Sequence, residues 1–91
     1  MIELITISHV SQSWYLNKVF VNPNHIVTIT DSPEYNLMLV EGKINLSFSD
    51  GVTFSKVKMN PVTGYDEFIV IGTPSSIMEK MNRNTKQLLK G

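Results

Sequence analysis

The sequence predicts an α+β fold: a strongly bent antiparallel sheet or small β-barrel of six to seven strands, packed by one C-terminal helix. Three observations predict it. Short runs rich in Ile, Val and Phe recur up to Ile71, separated by Pro, Gly, Asn and Asp. Over residues 44–48 apolar and polar side chains alternate, the period of a half-buried strand. After Gly72-Thr73-Pro74 the apolar spacing becomes that of a helix. A chain of 91 residues holds one domain, here a β-rich body over 1–73 with a helix and basic tail over 74–91.

Taken in order, residues 2–8 read as the first strand. Their apolar phase shifts between Leu4 and Ile5, which calls for two covered faces or a bulge. Residues 9–17 are less regular; Trp14 and Tyr15 start a second strand that runs through Val21. Asn22-Pro23-Asn24 then turns the chain. The proline ring fixes φ where a four-residue turn needs it, and Asn22 bonds backbone two residues on. A strand follows over residues 26–29.

Asp31-Ser32-Pro33-Glu34 reads as a second turn, and Leu37-Met38-Leu39-Val40 as a further strand. Residues 44–54 read as a hairpin. A two-residue turn at Asp50-Gly51 would set Phe48 against Thr53. A three-residue loop over 49–51 sets Phe48 against Val52 and Leu46 against Phe54, with Gly51 left-handed at a bulge. The phase then moves to Val57 and Met59, which predicts another bulge near Ser55-Lys56. Residues 60–64 form a loop and 67–71 a short buried strand. Thr73 suits an N-cap and Pro74 the first helical position. Ile77, Met78, Met81, Leu88 and Leu89 fall on one side of a helix that runs from 74 to the high 80s.

The segments VFVNPNHIVTI, INLSFSDGVTF and VIGTPSSIMEKM, in this order, resemble the short flagellar-motility family called FlbD and small proteins common in bacteria and their phages. The matching positions are Asn22-Pro23, Ile26, Asp50-Gly51 and Ile77 to Met81, within about residues 19–82. This chain departs by an extra segment at 31–43, a longer loop at 60–66 and a basic extension after 82. The resemblance implies a small β-rich module that acts by contact, and it supplies no catalytic residues.

Composition narrows the function classes. There is no cysteine, which removes disulfides, thiolate catalysis and cysteine-based zinc sites. No apolar run reaches the length of a membrane span, and the first residues lack the basic region of a secretory signal. A cytoplasmic protein is the expectation. The net charge of zero hides an asymmetry: residues 1–79 hold eight acids and four bases, leaving −4, while 80–91 hold four bases and no acid, giving +4. An acidic body disfavours broad nucleic-acid binding.

His9 and His25 are the only imidazoles, and no metal-ligand or nucleophile motif surrounds them. A structural role beside the turn is the expectation for His25. No catalytic residue, metal or cofactor is expected. The function expected is non-enzymatic binding: a phage-type accessory protein that sequesters or blocks a host defence component through an oligomeric surface. Trp14, Tyr15, Tyr35 and Tyr65 are the aromatic anchors proposed for a protein partner. One alternative is a sponge for a nucleotide-like signal. Its anion site would be Thr73, Ser75 and Ser76 at the helix start, with Lys56 or Arg83 adding charge. The other is RNA binding through the basic tail. Exposed strand edges and the Met78, Met81 and Leu88 stripe favour a homo-oligomer.

Overall fold

The computed structural model describes residues 1–48, 51–64 and 66–90, with side chains described up to Arg83 in the last helix. Five strands form one antiparallel sheet: β1 Ile2–Val10, β2 Ser13–Val21, β3 Ile26–Asp31, β4 Phe54–Met59 and β5 Glu67–Ile71. Their spatial order is β2-β1-β5-β4-β3. Two helices accompany them, α1 Pro33–Val40 and α2 Pro74–Lys90. The expectation of six to seven strands and a single helix is therefore corrected to five and two.

The barrel is corrected as well, because β2 and β3 remain open edges. The sheet nevertheless bends. Val21 ends one outer strand and Ile26 begins the other, with only residues 22–25 between them. Five residue steps reach at most about 18 Å, whereas four flat strand spacings measure about 19 Å. Part of that link is also coiled, as a 3₁₀ turn at Pro23–His25. The two edges must curl toward each other without pairing.

Both faces of the sheet are covered, which explains the phase shifts in the sequence. On one face Ile2, Leu4, Val21, Val57, Met59 and Val70 pack with Ile77 of α2. On the other, Ile7 and Phe54 pack with Ile44, α1 and the segment that follows it. β1 pairs with β2 without a break from Ile2 opposite Val21 to Val10 opposite Ser13. Leu4 and Ile5 thus belong to two covered faces, with no bulge between them. The same reason removes the bulge expected at Ser55-Lys56. Phe54 faces the second core while Val57 and Met59 face the first, and β4 stays regular against β5. The irregularity in this sheet falls between Ile26 and Thr28 instead.

Residues 37–40, expected as a strand, lie in α1. Ser32-Pro33-Glu34 is a helix start: Pro at a first helical position and an acid in the first turn. Four successive apolar residues do not separate strand from helix by period alone. The helix is tied to β4. The Phe54 N–H donates to Asn36 Oδ1 at 2.7 Å, and the Ser32 N–H to the Phe54 carbonyl at 3.0 Å.

The hairpin over 44–54 is absent too. Residues 44–48 hold no strand, and β4, which starts at Phe54, finds its partners in β3 and β5. With both neighbours taken, no place remains for 44–48 in the ladder. Its alternation serves packing: Ile44, Leu46 and Phe48 join the second core. Gly51 has φ +82°, as the three-residue loop required, while Ser49 and Asp50 lie outside the described residues.

Other expectations hold. β5 coincides with the predicted strand. Thr73 caps α2, its Oγ1 accepting from the Ser76 N–H at 3.1 Å, and Pro74 is the first helical residue. The irregular stretch at 9–17 resolves into the end of β1, a turn at Ser11-Gln12 and the start of β2. Ser11 and Gln12 have φ of 50° and 68°, the double positive φ of a two-residue hairpin loop. Neither residue advertises that geometry in sequence, as Asn-Gly would.

Candidate ligand-binding pocket

Two Asn-Pro turns build one end of the molecule. In the first, Asn22 Oδ1 accepts from the Asn24 N–H at 3.0 Å, and the His25 N–H donates to the Asn22 carbonyl at 3.0 Å. In the second, which covers Pro61–Thr63, Asn60 Oδ1 accepts from the Val62 N–H at 3.1 Å. The Thr63 N–H and Oγ1 both donate to the Asn60 carbonyl, at 3.1 and 2.9 Å. The turns are joined directly, because the Asn60 N–H donates to the His25 carbonyl at 2.7 Å. Pro presets φ in each, and the asparagine takes up a backbone donor that would otherwise be left over.

Between these turns and the curled β1–β2 arm lies a cavity of about 410 Å³. Val19, Val21, Met59 and Phe68 supply most of its apolar wall. Thr6, Asn17, Asn22, His25 and Thr63 are its polar lining residues, and Phe20 lines it as well. The size falls in the range of small-molecule pockets, roughly 300–1,000 Å³, and so does the mix of apolar wall and few polar groups. Thr6 Oγ1 is committed to the Asn17 carbonyl at 3.2 Å. The His25 imidazole and the Asn17 amide have no hydrogen-bond partner among the described residues, so both are open to a ligand.

The chemistry on offer is hydrogen bonding against a greasy wall. His25 is the only titratable side chain among the described lining residues, and no carboxylate stands beside it there. No lysine or arginine lines the cavity either. An anionic group would have to lie outside. Among the described residues, no three His, Asp or Glu side chains gather as a metal site.

The residues singled out from sequence lie elsewhere. Trp14 and Tyr15 are consecutive on β2 and therefore point to opposite faces. Trp14 stacks on His9, with centroids 4.3 Å apart, and meets Tyr35 edge-on at 6.0 Å. Tyr35 in turn meets Phe54 at 6.1 Å, so Trp14 and Tyr35 belong to the second core. Tyr15 is half-exposed on the other side, and Tyr65 lies outside the described residues. Trp14 and Tyr35 therefore do not share one surface with Tyr15.

At the start of α2, Thr73 and Ser76 spend their hydroxyls on the helix cap, Ser76 Oγ donating to the Thr73 carbonyl at 2.8 Å. Ser75 is exposed. Arg83 stands nine residues beyond Pro74, about 14 Å along the axis. Lys56 alternates with Val57 in β4 and projects from the sheet face away from α2. The structure does not bring these five residues together.

The pocket residues were missed for a physical reason. Their side chains come from strands and turns far apart in sequence, and only the curl of the sheet gathers them. The one visible signal was the repeated Asn-Pro pair, at 22–23 and 60–61. No family model, curated protein or solved structure matches the chain.

Proposed function

We propose that this protein is a non-enzymatic binding module that captures a small, compact and largely uncharged molecule in the pocket between its two Asn-Pro turns. The cavity of about 410 Å³ carries the reading: apolar residues line it together with His25 and Asn17, whose side chains have no hydrogen-bond partner among the described residues. A flat heterocycle with several donors and acceptors suits it best. A nucleotide-like signal would insert its base or a similar ring and leave its phosphates outside, since no cation lines the wall. Sequestration of such a molecule is also how a small accessory protein of bacteria or phages would block a host response without catalysis. The contact role implied by the FlbD-like segments agrees with this.

Native mass spectrometry of protein purified from its own host tests the reading. A bound small-molecule mass is expected on the unmodified chain and absent from Val19→Trp, which fills the cavity. Equal occupancy of both proteins places the ligand elsewhere; a bare chain in every preparation and no binding across a heterocycle panel reject capture.

A further inference from the structure

We propose that two copies of this chain pair through the free edge of β2, antiparallel and centred on Asn17, so that each places Tyr15 at the pocket wall of the other. β2 is an outermost strand with β1 as its neighbour. It runs for nine residues without proline or register break, and among the described residues no backbone–backbone hydrogen bond from outside the β1 ladder reaches residues 13–20. Proteins protect such edges with prolines, bulges, short length or charge. Here there is one lysine, Lys18, already held by Glu3 at 3.0 Å. Around it Tyr15, Leu16 and Phe20 are 51%, 43% and 61% exposed.

A second copy is the occupant because β2 complements its own reverse. Directly opposite residues in an antiparallel pair share a face, so a twofold pair is centred on a residue. Centring on Asn17 pairs every residue of Ser13–Val21. Trp14 then faces Phe20, Tyr15 faces Val19, and the two Asn17 amides meet on the axis. Aromatic–aromatic and aromatic–β-branched pairs are the favourable cross-strand combinations. Centring one residue later sets Lys18 against Lys18. Centring one earlier sets Phe20 against Gln12, which has φ 68° in the hairpin turn. Asn17 and Val19 line the pocket, so the Tyr15 brought opposite Val19 extends its wall. The pairing needs no ligand and stands apart from the capture reading.

The chain has no cysteine, so single introduced cysteines report the register. Under mild oxidation Asn17→Cys is expected to form a covalent dimer. Tyr15→Cys alone is not, because its two copies sit four residues apart, about 14 Å, beyond the reach of a disulfide. A mixture of Tyr15→Cys and Val19→Cys is expected to cross-link. Sedimentation of the unmodified chain should give twice the chain mass. Leu16→Lys, which sets a lysine opposite Lys18 on both sides of the axis, checked as folded by circular dichroism, should raise the dimer dissociation constant at least tenfold. A monomer at every concentration overturns the proposal. So does an unweakened dimer in the lysine variant, or Tyr15→Cys cross-linking as fast as Asn17→Cys. Saturable ligand binding by the lysine variant would show capture to be independent of pairing.

Discussion

The two faces of the sheet bury similar kinds of residue by different means. One is covered by a regular helix, α2, which closes Leu4, Val57 and Val70 under Ile77. The other is covered by short α1 and by residues 44–48, an irregular segment whose Ile44, Leu46 and Phe48 fill the gaps around Phe54. The filled face ends in contacting rings, Trp14, Tyr35, Phe54 and Phe48, at 5.8 to 6.1 Å. The face under α2 keeps a cavity. The irregular segment fills its face with rings, while none of the cavity's described lining comes from α2. That space is where binding is proposed.

Aromatic truncation on each face breaks or sharpens this contrast. Phe54→Ala removes a fully buried ring and should cost about 3–5 kcal/mol in urea unfolding. Phe68→Ala removes a half-buried ring that already borders the cavity, so about 1–2 kcal/mol is expected there. Equal losses would mean that the two faces are packed alike.

The next effect concerns the tie between α1 and β4. Asn36→Ala leaves the Phe54 N–H without its acceptor and should cost about 1–3 kcal/mol. It should also raise hydrogen exchange at Phe54, while exchange over α2 stays unchanged. In the same region Thr53 Oγ1 is buried with no partner among the described residues. Thr53→Val should therefore be neutral or stabilise by up to about 1 kcal/mol, read as a shift in the denaturation midpoint. The smallest destabilisation is expected for Asn22→Ala. It loses one exposed turn bond, about 0.5–1.5 kcal/mol, yet should weaken ligand capture more than its stability cost suggests.

Much of this fold was legible in the sequence, and the misses share a cause. The strands over 2–8, 26–29 and 67–71 and the capped helix from Pro74 came from local pattern, because their partners reinforce that pattern. Residues 37–40 and 44–48 misled because both lie on the second face, where apolar side chains are wanted and no ladder position is free. The phase shift at Leu4-Ile5 is read as two covered faces or a bulge, and the first holds; the shift after Phe54 reads as a bulge only when one sheet face is bare. The pocket was not legible, since it depends on a curl imposed by a four-residue link between outer strands. His25, expected beside the turn, is the last residue of the 3₁₀ turn itself, and its place in the pocket lining depends on Asn17 and Thr6 from distant strands.

Chemical-shift mapping by two-dimensional amide NMR tests most directly whether the cavity binds. Heterocyclic fragments are titrated into the unmodified chain and into Val19→Trp. Shifts are expected to cluster at residues 17–25, at 59–63 and at Phe68, and to vanish in the filled variant. Saturable shifts centred on the Trp14–Phe54 side, or shifts that survive the filling, would contradict a binding site on the face under α2.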